Sequence, residues 1–325
     1  MPDQPQLNKN RVLILINKWW ECDPIIGALL HAHIQPENCY LWPVVLNHPR
    51  KRPKDNQGTI KKSRVKPRAI FGLRHVSIEV WCISDLLERY LLESREQQSS
   101  SERKAEELRK VFADQRPALV VAAGTTAFHE GQSENGSVVI GTRIFMHNVH
   151  PNGQNPYSNW TTGPFGVIVD SALSAEAFQS ITTGLTSQLE SLLIRPPLNP
   201  AEPQCRLISD YDGVSLTTAN VTRSADYERA DQLTLSAYYN LRPEGKAPRG
   251  VVISIETTFG VIRAHFDVPF IFVGGIVDRA GHFEEDVREK EYAQKMVASH
   301  NLGVVLTRMI RTIDLTAATG FVPPT

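Results

Sequence analysis

Short apolar runs recur along the chain, and each is bounded by polar residues or turn formers. They are Arg11–Ile16, Ala118–Ala123, Gly250–Ile255 and Val268–Ile276. Runs of this length and content are typical of strands buried on both faces of a parallel sheet. The pattern therefore predicts a central sheet whose strands are covered on both sides.

Segments with helical periodicity lie between these runs. They include Glu102–Phe112, a helix that Ser174 would cap, and a helix near Thr257–Phe266. A last helix would turn Tyr292, Met296 and Val297 inward, and Asn301–Gly303 could interrupt it. Strands alternating with helices indicate a single α/β domain over residues 1–325 with a largely parallel sheet.

Composition narrows the class of protein. The chain has 325 residues, 41% of them hydrophobic, with 35 basic and 35 acidic side chains, so overall charge favours neither a nucleic acid nor a membrane partner. We find no apolar run long enough to span a membrane, and Val12–Ile16 is too short for a signal-peptide core. Four separated cysteines indicate neither a disulfide framework nor a zinc site. We expect a cytoplasmic protein.

One segment departs from this balance. Arg50–Arg68 carries nine Lys or Arg residues and one Asp. The pattern predicts a mobile, solvated insertion at 48–68. An alternative is an arm that reaches the phosphates of a nucleotide or nucleic acid, although no aromatic residue interleaves with the charges.

Three acidic residues follow predicted strands. Glu21 comes shortly after Arg11–Ile16, Glu256 directly after Gly250–Ile255, and Asp278 two residues after Ile276. Gly124-Thr125-Thr126 ends another strand. The carboxyl ends of parallel strands share one edge, where ligand sites of α/β proteins form. Each acid taken alone could equally be a surface, turn or helix-start residue.

Three carboxylates at one edge suit the cleavage of a glycosidic bond. That reaction passes through an oxocarbenium-like state and needs an acid for the leaving group and a base for water. A further carboxylate could accept hydrogen bonds from sugar hydroxyls. Composition and spacing alone do not single out this reaction.

The stretch Ile253–Phe283 resembles the signature of the purine nucleoside phosphorylase and nucleosidase superfamily, most of all the methylthioadenosine/S-adenosylhomocysteine nucleosidases. It contains Glu256 after a strand, the turn Asp267-Val268-Pro269, and Asp278 after the next strand. Val120–Phe128 stands where these proteins have a Gly-rich loop, and Gly136–Asn148 resembles a further family segment. The resemblance implies a three-layer α/β/α phosphorylase/nucleosidase-like fold with a mixed, largely parallel central sheet.

The resemblance also implies roles for individual residues. Glu256 would accept hydrogen bonds from the 2′ and 3′ hydroxyls of ribose, and Asp278 would protonate or hydrogen-bond purine N7. Glu21 would activate the attacking water. Thr125, beside Gly124, would line the ribose or anion side.

Base-contacting residues are implied for the segment Thr217–Val221. We take Thr218 and Val221 from it as substrate-binding candidates, together with Ile255. The resemblance further implies a homo-oligomer, with a dimer favoured, and a loop between His147 and Trp160 that could reach a partner subunit's site. No metal or organic cofactor is implied, and we interpret His147 and His150 as structural or substrate-lining rather than metal-binding.

Departures from the family pattern bear on the reaction. Gly124–Phe128 is bulkier than the family loop, and Asp23-Pro24-Ile25-Ile26 lacks the Arg of the hexameric phosphorylases, which would bind phosphate bidentately. Val277 precedes Asp278 where relatives often have Ser. We therefore expect a purine nucleosidase that hydrolyses a nucleoside or nucleotide to free base and a ribosyl product. A phosphate-dependent phosphorylase, a catalytically silent nucleotide-binding or sensing module, and a nucleic-acid-binding protein remain the alternatives.

Overall fold

The computed structural model describes about two thirds of the chain. The described residues are 10–31, 43–46, 66–87, 101–113, 115–128, 134–148, 168–196, 205–219, 228, 230–232, 235–236, 251–282, 285–286 and 292–322.

Twelve strands of the described residues form one sheet. They are β1 (Arg11–Ile16), β2 (Pro43–Leu46), β3 (Ala69–Gly72), β4 (Ser77–Cys82), β5 (Leu119–Phe128), β6 (Val138–Gly141), β7 (Arg143–Asn148), β8 (Ile168–Val169), β9 (Leu207–Ser209), β10 (Gly213–Ala219), β11 (Val251–Glu256) and β12 (Phe270–Arg279). The order is β2-β3-β4-β1-β5-β11-β10-β7-β8, and β12 pairs with β5 and β6, which in turn pairs with β9.

Helices cover both faces of this sheet. In chain order they are α1 (Trp19–His31), α2 (Ile83–Leu86), α3 (Ser101–Phe112), α4 (Ala175–Thr182), α5 (Ser187–Glu190), α6 (Phe259–His265) and α7 (Tyr292–Ala317). Alternate residues of β1 enter two different cores because successive strand side chains point to opposite faces. Val12, Ile14 and Ile16 pack with α1, α4 and α7. Leu13 and Leu15 pack with α3 and α6.

The sheet is mixed and largely parallel. β1 is parallel to β4 and β5, β12 is parallel to β5, and β10 is parallel to β7 and β11. β11 meets β5 antiparallel at the pair Ile255 and Ala127. This architecture confirms the predicted α/β class with helices on both faces.

Two strands run further than the sequence pattern predicts. β5 continues through Gly124, Thr125 and Thr126 to Phe128, and β12 continues through Asp278 to Arg279. The prediction that Gly124-Thr125-Thr126 and Asp278 follow their strands is therefore wrong. The physical reason is mutual pairing, because β5 and β12 hydrogen-bond to each other as far as Phe128 and Arg279.

The C-terminal helix α7 is not interrupted at Asn301–Gly303, and Tyr292 is exposed rather than turned inward. Asn301 donates from its amide nitrogen to the carbonyls of Gly136 and Ile194 at 2.8 Å each, so a buried polar side chain is satisfied inside the helix. Gly303 lets α1 approach closely, because a Cβ there would lie 2.7 Å from the Cβ of Ala28.

Arg68, the last basic residue of the predicted insertion, is a core residue. Its side chain is 4% exposed and lies between Asp85, which it binds through two nitrogens, and Asp23 at 3.1 Å. The prediction of a solvated segment is therefore wrong for Arg68. Residues 48–65 of the segment lie outside the described residues.

No helix in the described part of the chain has both the length and the apolar character needed to cross a membrane.

Candidate active site

A cleft of about 330 Å³, part of it open to solvent, lies where β11 meets the ends of β5 and β12. Its walls come from these strands, from β10 and from residues 230–231. The lining residues are Ala127, Thr218, Ala230, Asp231, Ile255, Glu256, Thr257, Arg279, Ala280 and Gly281. The antiparallel pair of β11 and β5, Ile255 and Ala127, forms part of the cleft wall.

Glu256 ends β11 and is held by groups on two neighbouring elements. Thr217, its cross-strand partner on β10, donates a short hydrogen bond to Oε1, and Ser215 donates to the same oxygen at 3.3 Å. The backbone N–H groups of Thr258 and Phe259, at the start of α6, donate to Oε2, the second at 2.6 Å. The carboxylate is thus fixed in one orientation on the cleft wall.

Burial raises the pKa of Glu256 above its ordinary value. The hydrogen bonds from Thr217, Phe259 and Thr258 and the positive charge of Lys104 oppose this rise. Glu256 is 8% exposed, so solvent contributes little to stabilising its charge. The ionised form therefore depends on the protein groups around it.

Glu21 forms a second carboxylate centre with the middle of β5. It lies in the first turn of α1 and is 2% exposed. Thr125 donates to Oε1 from its backbone nitrogen at 2.8 Å and from its hydroxyl at 2.7 Å, and the backbone nitrogen of Lys18 donates to Oε2 at 2.7 Å. Burial raises the pKa of Glu21, and these hydrogen bonds oppose the rise.

The Glu21 carboxylate lies beside Gly124, which has no side chain. A Cβ at Gly124 would lie 3.4 Å from each of the two carboxylate oxygens. The sequence Gly124-Thr125 thus supplies a position without a side chain, followed by a double hydrogen-bond donor. Both residues are among the site residues that the sequence predicts.

Asp278 lies at a bulge near the end of β12, where the pairing register with β5 shifts between Ile276 and Asp278. It pairs with Ala127, a residue of the cleft wall, and is 7% exposed. The next residue, Arg279, lines the cleft. Arg279 binds Asp286 at 2.7 Å and Glu285 at 3.1 Å, which closes the turn that follows the bulge.

Thr218 of β10 lines the cleft, and its hydroxyl contacts His147 of the neighbouring strand β7. The two residues are register partners, and His147 Nε2 lies 2.7 Å from the Thr218 hydroxyl. Burial lowers the pKa of His147 to about 4, so the ring is neutral near pH 7. His150 and Val221 lie outside the described residues.

The structure therefore groups the predicted residues into a cleft and an adjoining centre. Glu256, Ile255 and Thr218 line the cleft, whereas Glu21, Gly124 and Thr125 form the second centre and Asp278 flanks Ala127. Thr126 joins the two parts, since its hydroxyl contacts the Ser254 hydroxyl at 2.7 Å and the Ile255 carbonyl at 2.9 Å.

Two supports of Glu256 are not predicted from the sequence. Thr217 begins the segment implied to contact the base, but its hydrogen bond to Glu256 depends on the register between β10 and β11. Lys104 comes from a helix more than 150 residues away in sequence. Arg279 directly follows Asp278, so its position in the motif could have marked it as a candidate. In the part of the chain that the structure describes, no three His, Cys, Asp or Glu side chains are grouped to hold a metal ion.

Comparison with known proteins gives a match in structure but not in sequence. No protein-family model and no curated protein sequence matches the chain. Among solved structures, one described as a 5′-methylthioadenosine/S-adenosylhomocysteine nucleosidase from Borrelia burgdorferi bound to adenine matches with a TM-score of 0.50 and 12% identity. The match covers 92% of this chain and 99% of that chain.

The nucleosidase of the same description from Colwellia psychrerythraea, in complex with adenine, matches with a TM-score of 0.52 and 12% identity. It covers 94% of this chain and 97% of that chain. Both matches extend over nearly the whole length of each protein, so the likeness concerns the complete fold rather than a shared motif. The chain therefore has the three-layer α/β/α fold of the methylthioadenosine/S-adenosylhomocysteine nucleosidases.

Proposed function

We propose that the protein is a nucleosidase that hydrolyses the N-glycosidic bond of a purine nucleoside or nucleotide. One observation carries the proposal, namely that buried carboxylates stand in and beside a cleft at the strand ends of a nucleosidase fold. The products would be the free base and a ribosyl group with a hydroxyl at C1′. The reaction uses water and carboxyl groups and requires no metal or organic cofactor.

In the proposed mechanism each carboxyl group has its own task. Asp278 gives a proton or hydrogen bond to purine N7, so that the base leaves as the C1′–N9 bond breaks. Glu21 takes a proton from the water whose oxygen forms the new bond to C1′. Glu256 accepts hydrogen bonds from the 2′ and 3′ hydroxyls. The raised pKa of Glu21 suits a base, because burial brings the pKa of its carboxyl closer to neutral pH.

The binding groups follow from the same arrangement. Gly124 and Thr125 would border the ribose, while Ile255, Thr218 and Val221 would contact the base. We further propose a cytoplasmic homo-oligomer, with a dimer favoured, in which the loop between His147 and Trp160 approaches a neighbouring site.

The arginines near these elements favour hydrolysis over phosphorolysis. Arg68 binds Asp85 and Asp23, and Arg279 binds Asp286 and Glu285. Each guanidinium already has two carboxylate partners, so neither is available as a strong phosphate ligand. The basic residues in 47–65 lie outside the described residues, so phosphate dependence and 5′-phosphorylated substrates both belong in the test.

One observation favours a second candidate, a catalytically silent nucleotide-binding module. A carboxylate has about four acceptor positions, and Glu256 receives hydrogen bonds from Thr217, Ser215, Thr258 and Phe259. A ribose diol would have to share these positions. A silent module would bind purine nucleosides or nucleotides without releasing base.

The test incubates purified protein with adenosine, inosine, guanosine, methylthioadenosine, AMP and ATP, each with and without inorganic phosphate. Free base is then measured by chromatography. Release of base without phosphate supports the nucleosidase. Release only with phosphate replaces it by a phosphorylase, and binding without release from any substrate replaces it by the silent module.

A further inference from the structure

Lys104 is a buried cation on the inward face of α3. The helix carries charged residues along most of its length, yet Lys104, Ala105, Leu108 and Phe112 are buried together. Positions 104 and 108 lie one turn apart, so the helical period itself turns the lysine toward the core. Lys104 is 4% exposed. A buried ammonium group costs free energy unless the protein supplies compensating partners.

The amine of Lys104 contacts Thr258, one of the residues that hydrogen-bond to Glu256. Its Nζ donates to the Thr258 hydroxyl at 2.6 Å. The backbone nitrogen of the same Thr258 donates to Glu256 Oε2, and that of Phe259 donates to the same oxygen at 2.6 Å. Thr258, 1% exposed, thus links the cation on α3 to the carboxylate at the end of β11.

We propose that Lys104 is a positioning residue that keeps Glu256 ionised and holds it against the start of α6. The inference rests on the proposed function for its consequence in catalysis, because a carboxylate that accepts from two ribose hydroxyls must carry its charge. Only an ionised carboxylate is free of a competing O–H donor. Lys104 offsets the cost of keeping that charge in a site from which water is largely excluded.

The arginines of the cleft and of α6 bind other groups. Arg279 and Asp231 line the cleft, and Arg279 is bonded to Asp286 and Glu285. On α6, Arg263 donates to the carbonyls of Phe266 and Asp170, both within 2.7 Å. Among the residues that the structure describes, Lys104 is a charged side chain whose interaction lowers the pKa of Glu256 against the larger effect of burial.

The first arm of the test is a pH profile of kcat/KM for base release. Lys104→Met removes the charge but keeps a side chain of similar length, and Thr258→Val removes the bridging hydroxyl but keeps the backbone donor. We expect Lys104→Met to move the acidic limb to higher pH by about one unit, with a smaller shift in the same direction for Thr258→Val. Lys110→Met, on the exposed side of α3, is the matched control and should leave the limb in place. A uniform loss of rate with no shift would overturn the proposal.

The second arm does not need activity. The unfolding equilibria of wild type, Lys104→Met, Glu256→Gln and the double variant are compared by urea titration at pH 7. We expect the two substitutions to be coupled by about fivefold or more in the unfolding constant. Additive effects would overturn the proposal even in an active enzyme. Coupling in a protein that releases no base would sustain it and reject the proposed function alone. If Lys104→Met does not fold, Thr258→Val with Glu256→Gln gives the same cycle.

Discussion

Thr125 donates two hydrogen bonds to one oxygen of Glu21, from its backbone nitrogen at 2.8 Å and from its hydroxyl at 2.7 Å. The relationship ties the first turn of α1 to the middle of β5, although the two residues are 104 positions apart. It fixes a buried carboxylate whose pKa is raised by burial. Together with the bond from Lys18, it holds the Glu21 carboxylate in one orientation.

Thr125→Val tests the hydroxyl half of this contact. The hydroxyl hydrogen bond lowers the pKa of Glu21, so its removal should raise that pKa further. A base must be deprotonated to take a proton from water, and the acidic limb of the kcat/KM profile should therefore move to higher pH. Thr125→Ser should restore the wild-type limb. Coincident profiles for all three proteins would show that Glu21 does not titrate in the reaction.

Gly124→Ala tests the space beside the same carboxylate. The added methyl would lie 3.4 Å from both oxygens, an ordinary contact distance, so we expect the fold to survive. The methyl would occupy the approach to Glu21, and we expect kcat to fall by about tenfold or more. Gly184→Ala is the control, because its Cβ would meet only the Thr312 methyl at 3.6 Å. Equal kcat values in both variants would contradict the placement of water at Glu21.

Arg68→Met tests whether the end of the basic segment belongs to the core. The substitution leaves Asp85 buried, with a side chain 4% exposed, and without its bidentate partner. Loss of one partner of a buried ion pair costs about 3–5 kcal/mol. The free energy of unfolding, measured in urea, should fall by that amount. Lys110→Met, whose ion pairs are exposed, should leave it unchanged within error. Similar results for the two variants would indicate that Arg68 is solvated.

His147 gives a pH dependence of stability. Its pKa is lowered from 6.5 to about 4 in the folded protein, so the unfolded chain binds more protons between these values. The contribution of His147 to stability is therefore complete above pH 6.5 and is lost as the pH falls toward 4. His147→Gln should lose less unfolding free energy than the wild type between pH 7 and pH 5. Equal losses would mean that His147 takes up its proton over the same pH range in the folded and the unfolded protein.

How far the sequence predicts this structure depends on the range of the interactions. The elements β1, β11 and α3 follow from local patterns of apolar residues, and their bounds lie within one residue of the predicted bounds. The positions at which β5 and β12 end depend on residues that are distant in sequence, because the pairing between the two strands extends both of them. Asn301 and Gly303 predict a helix break, but α7 continues through both. The side-chain amide of Asn301 donates to the carbonyls of Gly136 and Ile194, and the missing side chain of Gly303 leaves space for α1.

The site shows the same division. Glu21, Glu256 and Asp278 could be chosen because each is an acid near the end of a recognisable strand. The residues that hold Glu256 could not be chosen in this way. Thr217 contacts Glu256 because of the register between two strands, and Lys104 contacts Thr258 because of how α3 packs. Strand pairing and helix contacts across more than 100 residues leave no signal in the local pattern of the chain.

In the proposed reaction, buried carboxyl groups at this edge of the sheet break an N-glycosidic bond with water. The most direct measurement is free base released from the best purine substrate in phosphate-free buffer by wild type, Asp278→Asn and Glu21→Gln. Asp267→Asn, a fully exposed acid in the turn before β12, serves as control. We expect the wild type and the control to release base, and the other two variants to lose about a hundredfold or more of the rate. Base release that survives both substitutions would contradict it.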